Sequence, residues 1–317
     1  MLDGNKKTGM KTIIKFLTAL TFFLGFVGCE KYNDYINDFE FSAVYFGSQR
    51  PLRTLVARTD QESLVFKIGV ALGGVRENKT GYSTEFKVDP TLLTTVDGAN
   101  KFTLLPQNCY TIDNSNNTFV TAAGTFLGDC PVNINKNAFA ALPGSLNNTY
   151  ALPLRLLKTT ADSILGGKDY TVIVIKYIDE HSGYYYCKGS ESEWNGTAIV
   201  QGTTKEYSKA DLSANKIRLL TTQSLTQFDM AGMGNLGNPD GTAATTDHLL
   251  VNLVSGKVTL TTITGGNVIT DRGSSYDATA KTFTLNYIYA KGGKNYLVNE
   301  TLILRQDVEK ELRFEEW

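Results

Sequence analysis

The sequence predicts an all-β protein built as two units in series. Three observations carry this. Apolar and polar residues alternate with the period of a strand along several stretches. Long runs of helical periodicity are missing. Clusters of Asn, Gly, Ser and Lys punctuate the alternating stretches as turns.

Taken in order, the chain first shows Lys11 and Lys15 ahead of a weakly polar to apolar run, Phe16 to Gly28. That run falls short of the ~20 apolar residues a spanning helix needs, and reads as a secretory signal over 1–28. Met10-Lys11 gives the short basic start such signals have, so translation begins at Met1 or Met10. Residues 29–40 are polar and acidic and read as a tether. In the first unit, 41–178, Leu64, Phe66, Ile68, Val70 and Leu72 alternate with Val65, Lys67, Gly69 and Ala71, as in a strand with one buried face. Val172-Ile173-Val174-Ile175 is apolar without alternation, as in a strand covered on both faces. Asp89-Pro90 predicts a short helical turn through Leu93, and Ser208 to Leu212 predicts another. A break falls at 178–183, and the second unit spans 184–312. There Phe283, Leu285, Tyr287 and Tyr289 alternate with Thr284, Asn286 and Ile288. Turns are expected at 77–81, 114–117, 265–267 and 291–294.

The inventory of reactive groups is thin. The two histidines, His181 and His248, fall in the inter-unit turn and beside Asp247. No metalloprotease, nucleophile-elbow or phosphate-loop motif occurs, so neither a metal nor a cofactor is expected. Glu191 and Glu193 are candidate carboxylates without a spacing argument for a catalytic pair. The chain carries a formal charge of −1; residues 1–28 hold four lysines against Asp3, a net of +3, which leaves −4 on the rest. An acidic balance excludes nucleic acid as a partner. Beyond Cys29 three thiols remain, an odd number; Cys109 and Cys130 either close a disulfide or are small buried hydrophobes.

Aromatics are more suggestive. Tyr184-Tyr185-Tyr186 opens the second unit, with Tyr185 on the face opposite its neighbours; which face meets solvent stays open. Trp194 lies in the polar segment Glu191 to Gly196 and either packs in the core or offers a flat face to a pyranose ring. Residues 228–241 form a Gly- and Asn-rich loop, and such loops often bind ligands. The candidate glycan-binding set is therefore Trp194, Tyr185, Asn235, Asn238 and Asp240.

Two resemblances refine the picture. Phe26-Val27-Gly28-Cys29 resembles a bacterial lipobox, which implies cleavage before Cys29 and acylation of its thiol. Phe46 to Pro51, Phe66 to Asn78 and Tyr150 to Arg155 resemble the N-terminal domain of unknown function in Bacteroidetes surface lipoproteins. Tyr276 to Tyr287 and Glu300-Thr301-Leu302 look like their C-terminal domain of unknown function. The resemblance implies an immunoglobulin-like sandwich followed by a lipocalin-like antiparallel barrel or sandwich. It also implies an outer-membrane lipoprotein facing the cell exterior, anchored in lipid through Cys29. Such proteins bind glycan beside outer-membrane importers, and the leading reading of this chain is a glycan-binding lipoprotein without catalytic activity. Asp162-Ser163-Ile164 matches the phylum's short O-glycosylation motif and implies a glycan on Ser163. A structural or adhesion role and a glycoside hydrolase are the rival readings.

Replacing Cys29 by Ala should abolish lipid-dependent processing. The protein should then leave the detergent phase in a phase-partition assay; a variant that partitions like the parent would rule out the anchor.

Overall fold

The computed structural model describes residues 41–114, 116–312 and 315–317. The signal region, Cys29 and the tether lie outside the described residues.

Two facing sheets make up the first unit. One has five strands in the order 163–164, 43–45, 63–73, 127–135, 110–112. The other runs 315–316, 51–57, 170–179, 150–159, 82–88, 118–121, with 103–104 beside 150–159. Most pairs are antiparallel, but 51–57 runs parallel to 170–179 with Leu52 opposite Val174. The alternation read at 64–72 is realised: Leu64, Phe66, Ile68, Val70 and Leu72 are buried, while Val65 and Lys67 point to solvent. Val172 to Ile175 are all buried. Ile173 and Ile175 face the core between the sheets, and Val172 and Val174 pack under Leu92, Leu93 and Phe102. The chain at 92–104 therefore supplies the second cover that this strand needs. Its helix is a single turn, Leu92–Thr95. Asp89 does not cap it; the carboxylate accepts from Thr91 Oγ1 at 2.8 Å and Arg155 Nε at 2.6 Å. Arg155 and then Thr91 and Lys87 hold this carboxyl below the usual carboxylate range, against the opposing effect of burial.

The second unit is a closed barrel. Eight antiparallel strands follow one another in chain order: 183–194, 216–222, 227–231, 248–254, 257–262, 275–277, 282–291 and 294–304. The last pairs with the first over ten residues, Tyr185 opposite Leu304 to Trp194 opposite Asn295. Two short strands sit outside the ring, 205–207 on the first strand and 269–271 on the seventh. Closure leaves the ring itself without an edge. The helical turn expected at 208–212 is shifted, a 3-10 turn at Leu212–Ala214 whose Ser213 N donates to Asp211.

Two alternatives left open by the sequence are decided here, against a Cys109–Cys130 disulfide and against Tyr185 as a glycan contact. Cys109 and Cys130 are free thiols in the sandwich core, where each packs as a small hydrophobe; burial pushes both thiols up. Tyr185 is 1% exposed. Its ring stands edge-on to Phe283, and its hydroxyl donates to His181 O at 2.9 Å. It belongs to the barrel core, so Tyr184 and Tyr186 take the outer face.

The two units are joined twice. The first link is 178–183. The second leaves the barrel at Arg305, whose N–H donates to Tyr184 O. Along it Asp307 pairs with Lys281 and Glu309 with Arg58. Glu315 and Glu316 then add a strand to the sandwich beside Leu52 and Pro51. Trp317 donates to Val172 O at 3.1 Å and meets Phe102 edge-on, ring centroids 4.8 Å apart.

Trp317→Ala should destabilise the sandwich by about 1–3 kcal/mol, below the cost of a fully buried tryptophan. In calorimetry the barrel transition should not move; a shift confined to the barrel would contradict this placement.

Candidate functional site

The first barrel strand sends odd-numbered residues inward and even-numbered residues outward. Inward, Gly189 leaves a gap. A Cβ there would collide with Asn299 O and press on Tyr207 and Glu300. Tyr207 fills the gap from the outer strand 205–207 and donates to Glu300 Oε1 at 2.9 Å. Glu300 also accepts from Tyr287 at 3.0 Å and from Arg218 Nη2 at 2.9 Å. Arg218 and Glu300 are 0% and 1% exposed. Burial opposes the charge on Arg218, but Glu300 outweighs it and the guanidinium stays protonated. Burial, reinforced by Glu300, pushes the Tyr207 and Tyr287 phenols far up, so both remain neutral donors.

The loop after strand 227–231 closes one part of this interior. Arg218 donates to Gly234 O at 2.6 Å and Leu236 O at 3.0 Å. Glu191 accepts from Asn235 N and from Tyr289, both at 2.7 Å. Gly234 has φ +51°, and a Cβ on it would run into Glu191. Met233 is fully buried. The loop read as a binding loop thus turns its first half into the barrel as a plug.

Accessible polar side chains lie on the outer wall. Pairing across four strands aligns Glu206, Ser190, Asn299 and Asn286 in one lateral row. At ~4.8 Å per strand the row is about 14 Å long. The next row holds Lys188, Thr301 and Thr284. With Ser208 these side chains line a shallow groove of about 330 Å³. Hydroxyls, amides, one carboxylate and one ammonium make up its polar side chains. At the end of the same strand stands Trp194, half-buried, with the Arg272 guanidinium 5.7 Å from its ring centroid. Arg272 is held beside the row because its N–H donates to Asn286 O at 2.7 Å.

The expected residues scatter around this wall. Trp194 borders it. Asn235 is exposed on the plug and accepts from Lys216 at 2.5 Å. Asn238 and Asp240 serve their own turn: Asn238 Nδ2 donates to Thr242 Oγ1, and Asp240 accepts from Thr242 N and Oγ1. Ser163 is half-buried on strand 163–164, with its N–H donating to Ser42 O. Glu191 is buried, and Glu193 pairs with Lys294 at 2.7 Å. His248 meets Asp229 at 2.8 Å and His181 meets Asp179 at 2.6 Å. Reading residue by residue missed Ser190, Asn286, Asn299 and Glu206. Their signal is the polar half of each alternating strand, which becomes a site only once register is known.

A family model described as an N-terminal domain matches residues 37–163, most of the sandwich. A solved structure of a Bacteroides ovatus protein of unknown function is similar over 88% of this chain and 98% of its own, with TM-score 0.70 and 17% identity. That likeness shows a shared fold. A second B. ovatus protein of unknown function covers 88% of this chain and 100% of its own at TM-score 0.41 and 13% identity. An auxiliary nutrient binding protein from Bacteroides thetaiotaomicron covers 82% and 92% at TM-score 0.40 and 12% identity. No curated protein matches the chain in sequence.

Glu300→Gln would leave Arg218 charged and unpaired in the barrel. Denaturant unfolding should show the barrel destabilised by about 3–5 kcal/mol, the order for breaking a buried pair. A loss below 1 kcal/mol would mean that solvent reaches Arg218.

Proposed function

We propose that this protein binds glycan at a cell surface without transforming it, hanging from lipid through Cys29 and presenting the outer barrel wall as its binding face. The observation that carries the reading is the outward row Glu206–Ser190–Asn299–Asn286, with half-buried Trp194 four residues on from Ser190 along the same strand. Sugars need this combination. An aromatic face packs against pyranose C–H groups while amides and hydroxyls exchange hydrogen bonds with ring hydroxyls. The groove is open and shallow, which suits a chain lying across it.

Support for binding without turnover comes from the carboxylates. Glycoside hydrolysis uses two carboxyl groups flanking the scissile bond. Among the residues lining this groove, Glu206 alone turns a carboxylate outward; Glu300 faces inward and is bonded to Arg218, Tyr207 and Tyr287. The resemblance to surface lipoproteins adds the expectation of an importer complex as the recipient of the captured glycan.

Trp194→Ala should weaken binding of the glycan found by array screening by about 1–3 kcal/mol, as for an interface aromatic. Its melting temperature should shift little. Asn299→Ala should weaken binding independently. Unchanged affinity in both variants would remove the outer wall as the site; early melting of the Trp194 variant with normal affinity would make it a packing residue.

A further inference from the structure

A second concavity lies between the two units. It has a volume of about 520 Å³, within the usual range for small-ligand sites. The sandwich contributes Arg58, Thr59 and Lys136; the link contributes Asp179 to His181; the barrel contributes Tyr276, Thr226 and Lys281. Three aromatic rings form the floor. His181 and Tyr276 stand edge to face, centroids 4.8 Å apart, with Phe228 5.7 Å from the histidine. Asp179 fixes the imidazole through Nδ1. Half-buried Tyr276 has its phenol pushed up to about 12 by burial and then by Glu180 and Asp179, so it stays a neutral hydroxyl.

Apart from exposed Asp60, the charged groups around the cleft are committed to protein partners. Arg58 pairs with Glu309 and Lys281 with Asp307. Lys136 donates to the carbonyls of Arg58 and Gln61. Glu180 accepts from Thr59 N. An anion would be repelled by Asp60 and would have to break these contacts to reach a cation, while a cation would find Asp60 alone. A neutral polyhydroxylated ligand breaks none of these contacts; it can stack on Tyr276 and bond the rim amide and hydroxyls of Asn137, Thr226 and Ser255, all exposed.

We propose that this inter-unit cleft is a second saccharide site, separate from the outer wall, that takes one or two rings of a neutral glycan. The proposal rests on the glycan-binding reading above and adds a site that both units build.

Ala278 is exposed and lines the cleft, so Ala278→Trp fills it without removing a packing contact. The full chain, the Ala278→Trp variant, Tyr276→Ala and Trp194→Ala would be titrated calorimetrically. The probes are cello-, xylo- and manno-disaccharides and the matching hexasaccharides. Disaccharide affinity should fall about tenfold or more in Ala278→Trp and Tyr276→Ala, and stay within about threefold in Trp194→Ala. Three outcomes overturn the cleft. Disaccharide affinity that falls in Trp194→Ala but not in Ala278→Trp leaves the outer wall standing alone. Hexasaccharide binding without disaccharide binding does the same. A wild-type chain that binds no probe in the panel defeats both sites together.

Discussion

The Arg218–Glu300 pair is the constraint around which the barrel is arranged. A buried ion pair adds little net stability over an apolar pair of the same shape, yet it tolerates few alternative arrangements. Glu300 must face inward to meet Arg218, Tyr287 and Tyr207. Sliding strand 294–304 by one residue would turn Glu300 to solvent and Asn299 to the core. The pair therefore penalises the wrong register far more than it rewards the right one. Because inner and outer faces alternate, the same penalty composes the outer wall: Asn299 stands between Ser190 and Asn286 only while Glu300 is inside.

A second consequence concerns the interior. Eight-stranded barrels hold either packed side chains or one small ligand. Here Phe228, Leu249, Val251, Phe283, Leu285 and Tyr287 fill the space, and the backbone of 234–236 completes the hydrogen bonding of Arg218 and Glu191. Loop carbonyls stand where a polar ligand would otherwise be needed. Both sites proposed above are therefore surfaces, one on the barrel wall and one against the sandwich.

Much of the fold could be read from the chain because its strands advertise themselves. The period-two pattern at 64–72 and 283–289 and the unbroken run at 172–175 each matched the burial later seen. Tyr185 was undecidable, since a run of three tyrosines satisfies either face, and only the contact with Phe283 settles it. The plug was hidden for a different reason. Gly232 to Gly237 reads as a loop because its purpose lies in main-chain donors and acceptors, which composition does not display. Cys109 and Cys130 posed the same ambiguity between bonded and merely buried, and packing decides it. The outer row is a property of pairing: Glu206, Ser190, Asn299 and Asn286 are remote in sequence and become one surface through three registers.

The double attachment of the barrel has a mechanical meaning. A domain hung on a single linker can swivel about it. This one is pinned at 178–183 and again by the strand 315–316 with Trp317, on the same sandwich. Two anchorage points remove the free rotation, so torque applied to the barrel is transmitted to the sandwich instead of being lost in a twist of the connector. The barrel is carried at a set angle, as on a bracket and not as on a rope.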